Sequence, residues 1–290
     1  MTKWTAADIT DQSGRTCVVT GANSGLGACT ARALARAGAS VVLACRNVTK
    51  GEAAATTMPG RVEVRQLDLA DLASVRAFAE GVDDVDVLVN NAGLMAVPQQ
   101  RTEDGFEMQI GTNHLGHFAL TGLLLPKISD RVVALSSGAH RMGRISIDDL
   151  NWRSRKYRAW GAYGQSKLAN LMFAYELQRR LEAVGSRVRA VAAHPGYSAT
   201  ELQSHTESVA DVVMALGNRV LAQSAEMGAL PTLYAATEPD LAGGSFVGPD
   251  GPGELRGHPR LVGSTKASKD RRVAAQLWTL SEELTGVSFP

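Results

Sequence analysis

Six short apolar runs, separated mostly by longer stretches of helical spacing, constrain this chain more than any other feature. The runs are residues 16–20, 40–44, 62–67, 85–89, 131–135 and 188–192. Brief apolar segments of this kind are buried on both faces of a parallel sheet. Helix-like stretches cover 26–37, 72–81, 106–128 and 163–184. In the last, Leu168, Leu171, Met172, Tyr175 and Leu181 keep helical spacing while Gln178, Arg179, Arg180 and Glu182 are polar. The alternation predicts an α/β fold: one doubly wound, Rossmann-type domain over residues 1–290, a parallel sheet of about seven strands, and helices on both faces. The seventh strand is an edge strand at 245–247, inside a Gly- and Pro-rich loop at 243–263. A closing helix is expected at 272–284.

Two stretches break the alternation. Residues 138–160 are polar and basic, an excursion ahead of the Tyr163 helix. Residues 195–222 follow the sixth strand, and Val209, Val212, Val213, Leu216 and Val220 form an apolar stripe there. The stripe either packs on the domain or, because it lies beyond a strand's carboxyl end, forms a flap over a substrate.

Charge and cysteine usage narrow the class. Thirty basic side chains against twenty-nine acidic ones imply no polyanionic partner, so no nucleic acid is expected. The cluster from Arg153 to Arg158 reads as a solvated loop, with contact to a phosphate or an acidic surface as the alternative. Cys17, Cys29 and Cys45 are odd in number and sit among apolar neighbours, as small buried side chains do in a reducing compartment. The N-terminus carries no apolar signal-like run, and the stretch 118–125 is too short to span a bilayer. A cytoplasmic protein without a membrane segment is expected.

The first strand turns into the first helix at Gly21, Asn23, Ser24, Gly25, Leu26 and Gly27. Glycine there lets the backbone turn tightly and lets a pyrophosphate approach amide groups at a helix N-terminus. The spacing is Gly-x-x-x-Gly-x-Gly rather than the commoner Gly-x-Gly-x-x-Gly. The second strand ends at Ala44, Cys45, Arg46 and Asn47 with no carboxylate to hold a ribose 2′-hydroxyl. Arg46 suits a 2′-phosphate, so NADP(H) is the preferred cofactor and NAD(H) the alternative. Asp68 is a candidate acceptor for adenine, beside Leu69; Asp71 is better placed to cap a helix. Tyr163 and Lys167, four apart, share a helix face. The ammonium is expected to lower the phenol below its usual value of ~10 and make it a proton donor near neutral pH.

In order, spacing and identity these motifs resemble the short-chain dehydrogenase/reductase family, closest to its retinol-dehydrogenase-like and WW-domain-oxidoreductase-like branch. The resemblance rests on Thr20 to Gly27, on Asn90, Asn91, Ala92 and Gly93, on Asn113, on Ser137, on Tyr163 with Lys167, and on Pro195, Gly196 and Thr200. It spans residues 14 to 200. It implies that Ser137 orients a substrate oxygen, Tyr163 exchanges a proton with it, Lys167 binds the nicotinamide ribose, and Asn113 holds a water on a proton path. Pro195, Gly196 and Thr200 would meet the nicotinamide. The expected activity is interconversion of an apolar alcohol and its aldehyde or ketone. Epimerase or dehydratase chemistry on the same scaffold, or a silent nucleotide-sensing protein, are the alternatives. The resemblance allows pairing as a homodimer or homotetramer through the Asn113 and Tyr163 helices. No metal site is expected: His114 and His117 lack a third ligand at suitable spacing. Ser136 reads as structural, and Met95, His140, Met142 and Tyr197 are candidates for pocket walls.

Overall fold

The computed structural model describes residues 3–197 and 223–289. Seven parallel strands, β1 (Thr16–Thr20), β2 (Ser40–Cys45), β3 (Val62–Gln66), β4 (Val85–Asn90), β5 (Ile128–Leu135), β6 (Arg189–Ala193) and β7 (Phe246–Pro249), lie in the order β3-β2-β1-β4-β5-β6-β7. An eighth, β8 (Pro259–Leu261), closes the edge antiparallel to β7, with Gly248 opposite Arg260. The order reverses between β1 and β4, and the crevice at such a switch point, beyond the carboxyl ends of the strands, is where α/β sheets bind ligands.

Side chains alternate between the two faces of each strand, and this splits the core. Cys17, Val19, Leu43, Val89 and Val191 point to one face, covered by α1 (Gly25–Arg36) and α7 (Ala225–Thr237). Val18, Val42, Leu88, Val132 and Ala192 point to the other, covered by α3 (Leu72–Glu80), α5 (Gly116–Leu124) and α6 (Ala159–Ala183). Asp71 caps α3, its carboxylate accepting from the Ala73 amide at 2.8 Å.

The structure departs from the sequence pattern at several points. The sheet has eight strands, because the loop at 243–263 holds β8 as well as the edge strand. The stretch 106–128 is not one helix: α4 (Met108–Ile110) leads into a π-helical turn, Gly111–Leu115, then α5, and Ile128 already belongs to β5. Two helices were not legible. In α2 (Val48–Ala55) only Gly51 is buried, so there is no apolar stripe. In contrast, α7 is apolar around its circumference and contains Pro231, which removes a helical hydrogen bond, so neither period nor propensity marks it. The stripe at 209–220, and with it nearly all of the expected flap at 195–222, lies outside the described residues.

The chain covers part of the surface through which pairing was expected. The C-terminal α8 (Arg271–Thr285) packs on α6 and α5, with Trp278 5.8 Å from Phe173 and 5.1 Å from Phe118 between ring centres. Phe289 joins the cluster 4.8 Å from Phe118. In the excursion at 138–160, Arg155 lies over the Trp152 ring at 3.6 Å and donates to Gln165 at 2.6 Å, so its charge serves local packing. Among the described residues, no helix is long and apolar enough to cross a membrane.

Candidate active site

A cavity of about 640 Å³ opens at the switch point, with the glycine turn on one side and the start of α6 on the other. Gly21, Asn23, Ser24, Gly25, Leu26 and Gly27 line it, and so do Arg46, Asp68, Leu69, Asn91, Ala92 and Gly93. Ser137, Tyr163, Lys167, Pro195 and Gly196 complete the expected set; Thr200 lies outside the described residues. Asn113 is buried beneath the cavity rather than on its wall.

Close packing explains the glycines. Gly21 has φ 66°, and a Cβ on it would lie 2.9 Å from Ala92 Cβ. A Cβ on Gly27 would lie 2.6 Å from Asn91 Nδ2 and would also collide with the Gly21 carbonyl. Thr20 then ties β1 to the end of β4. Its hydroxyl accepts from the Asn91 and Ala92 amides, both at 2.9 Å, and its carbonyl accepts from Asn91 Nδ2 at 2.8 Å. This leaves the amino end of α1 facing a cradle of main chain suited to a pyrophosphate. At its margin Arg46 is exposed and forms no ion pair among the described residues.

The Ser137 hydroxyl interacts with the Tyr163 phenol and also accepts from the Ala139 amide at 3.2 Å. Lys167 Nζ lies 5.8 Å from the centre of the Tyr163 ring and donates to the Leu135 carbonyl at 3.2 Å. Burial pushes the phenol above its usual value, against the opposing bond from Ser137, and lowers the Lys167 ammonium to about 8. The expected lowering of the phenol is therefore not what the structure gives: burial raises it. A shared helix face does not guarantee a bond: the ammonium donates to Leu135, and burial sets the direction of the phenol's shift.

Asn113 is also more constrained than its motif suggested. It sits in the π-helical turn, a feature frequent at functional sites. Its Nδ2 donates to Leu94 O and Ser166 Oγ, both at 2.9 Å, and its Oδ1 accepts from the Leu94 amide at 2.7 Å. One lone pair on Oδ1 is left for a water; the side chain mainly clamps the loop segment at Leu94 onto the helix.

The remaining candidates sort by contact. His117 is buried between Thr20 Oγ1 at 2.9 Å and the Asn113 carbonyl at 3.0 Å, and burial lowers it to about 3. His114 bonds Ser281 at 3.1 Å and is lowered by burial to about 4; no metal-binding cluster exists among the described residues. Ser136 donates to the Lys167 carbonyl at 2.8 Å, a structural bond. Met95 and Tyr197 line the cavity, whereas His140 is buried against Phe246 and Met142 is exposed. Sequence reasoning missed Arg141, Trp160, His194, Glu254 and Leu255 on the same wall. One signal was available: a parallel edge strand at 245–247 delivers its following loop to the same end of the sheet as the glycine turn.

A doubly wound sheet with a glycine cradle and a Ser-Tyr-Lys cluster at its switch point defines a nucleotide-dependent dehydrogenase. Residues 15–211 match the family described as short chain dehydrogenase, and the chain belongs to that family. It is 44% identical to Retinol dehydrogenase 13 of Homo sapiens, covering 96% of this chain and 86% of that one. It is 40% identical to Retinol dehydrogenase 12 of Mus musculus, covering 95% and 88%. The crystal structure of an uncharacterized protein from Mycobacterium Paratuberculosis is 59% identical over the whole of both chains, with a TM-score of 0.88.

Proposed function

We propose that this oxidoreductase interconverts an apolar alcohol and its aldehyde or ketone, with NADP(H) as the preferred cofactor. The observation that carries the reading is convergence: Ser137, Tyr163 and Lys167 meet in one cavity with the Gly21–Gly27 cradle and the exposed Arg46. The retinol dehydrogenases among its relatives support the alcohol–carbonyl assignment. Trp160 and Leu255, both partly exposed on the cavity wall, support an apolar substrate.

The residues present fit the cofactor. Gly21, Gly25 and Gly27 leave room for a pyrophosphate, Arg46 would meet a 2′-phosphate, and Asp68 and Leu69 would border the adenine end. The cofactor supplies hydride chemistry; the protein supplies placement and charge. Ser137 donates a hydrogen bond to the substrate oxygen and holds it beside the Tyr163 phenol. Tyr163 passes its proton to that oxygen in reduction and takes one back in oxidation. Lys167 would hold the nicotinamide ribose through its ammonium. Pro195 and Gly196 would wall the nicotinamide end. Buried, unpaired thiols at Cys17 and Cys45, pushed up by burial to about 12 and about 11, support a reducing, cytoplasmic setting.

The test is NADPH oxidation against a panel of aldehydes and ketones, with wild type and Tyr163→Phe. Turnover should fall at least ~100-fold in the variant while NADPH affinity stays nearly constant. Unchanged turnover refutes the acid–base role.

A further inference from the structure

Glu254 holds an unfavourable backbone conformation on the cavity wall. Its φ is 59°, in the left-handed region that is strained for a non-glycine residue. Its neighbours Gly253 (φ 63°) and Gly257 (φ 127°) take positive φ as glycines, and a glycine at 254 would relieve the strain.

The carboxylate joins three segments of the wall. Glu254 Oε2 accepts from Arg141 Nη2 at 2.9 Å and from His194 Nε2 at 3.1 Å. His194 Nδ1 accepts from the Gly196 amide at 3.3 Å, which puts the ring proton on Nε2. Burial keeps that ring neutral. The loop is anchored a second time where the Tyr197 amide donates to Leu255 O at 2.7 Å. Arg141 comes from a separate segment, the turn Gly138–Met142 that follows Ser137. Arg141 and Glu254 both line the cavity, with side chains 49% and 16% exposed. One end of the pair is therefore fixed and buried, the other free to swing into solvent.

We infer that Arg141 and Glu254 form a latch across the substrate side of the cavity, a specificity-determining pair that limits the cross-section of the carbonyl admitted to Ser137 and Tyr163. The inference rests on the reductase reading above. An ion pair with one exposed partner is weak, so the latch opens readily and filters rather than seals.

The experiment compares kcat/KM for slender hexanal and broad 1-naphthaldehyde at saturating NADPH, in wild type, Arg141→Ala, Arg141→Lys and Glu254→Gln. Arg141 is on the rim, so its truncation leaves the fold intact. The naphthaldehyde-to-hexanal ratio should rise at least about tenfold in Arg141→Ala, rise also in Glu254→Gln, and return toward wild type in Arg141→Lys. High salt should move the wild-type ratio in the same direction and leave Arg141→Ala unmoved, because screening acts only where the pair exists. An active wild type whose ratio is unchanged by Arg141→Ala overturns the latch alone. Loss of NADPH affinity in Arg141→Ala as large as the change for either aldehyde also overturns it, by assigning the pair to the cofactor. A wild type that binds NADPH and reduces neither aldehyde defeats the reductase reading and the latch with it.

Discussion

Replacing Lys167 with methionine should stabilise the protein while abolishing its activity. The side chain is 5% exposed, and burial lowers its ammonium from the ordinary 10.5 to about 8. At ~1.36 kcal/mol per pH unit, keeping that group charged at pH 7 costs folding about 3 kcal/mol. The sign follows from proton binding. The unfolded chain holds the proton up to about 10.5, the folded chain only to about 8, so stability rises with pH across that window. The penalty is complete below the window and gone above it. Methionine fills much of the lysine stem's volume without the charge. No acceptor is orphaned, because the Leu135 carbonyl keeps its bond from Asn170 Nδ2 at 3.0 Å. In a chain of 290 residues the gain corresponds to about 5 °C in Tm. Urea unfolding of the cofactor-free protein, followed by tryptophan fluorescence, should show the higher midpoint at pH 7 with an unchanged slope. The gap to wild type should close toward pH 10.5. Turnover should fall at least ~100-fold, a trade of stability for function. A destabilised variant, or a gap independent of pH, would refute the assignment of a costly buried charge.

Other expectations are simpler. Arg46→Glu should weaken NADPH by at least about tenfold and spare NADH; equal losses for both, measured by titration, would remove the 2′-phosphate role. Gly27→Ala should cost nucleotide affinity, since its methyl would meet Asn91 Nδ2 at 2.6 Å, and unaltered binding by calorimetry would contradict the cradle. Asp130→Ala should cost about 3 kcal/mol in denaturant unfolding, because it leaves buried Arg131 without its carboxylate partner at 3.0 Å. Burial raises the Asp130 carboxyl, but bonds from Arg189 and Arg131 hold it below its usual 3.8. Its contribution is thus present above that value and lost as pH falls below it, so a wild-type advantage that persists in strong acid would count against the network.

Much of this architecture is written in local pattern. Strands such as 16–20 and 85–89 declare themselves because a parallel strand buried on both faces can hold almost nothing but small or branched apolar residues. The glycine turn declares itself because no side chain fits where Gly21 and Gly27 meet Ala92 and Asn91. The same logic ties Tyr163 to Lys167, since helix geometry alone puts them on one face. Family resemblance added Ser137 and Asn113, which no spacing rule connects to that pair.

Tertiary structure decided the rest, because burial and partner choice depend on segments far apart in sequence. Whether Lys167 bonds the phenol or the Leu135 carbonyl is set by where β5 ends beside α6, and burial of Tyr163 raises the phenol where the sequence pair alone predicted a lowering. Asn113 belongs to Leu94 and Ser166 because a π turn aims it there. Glu254 meets Arg141 and His194 across separations of 113 and 60 residues, and α7 exists because a buried face rewards apolar residues all round, even with Pro231 inside. Local sequence specifies what a segment can be; the desolvation and contacts that give a side chain its charge and its task appear only when the sheet has brought distant segments together.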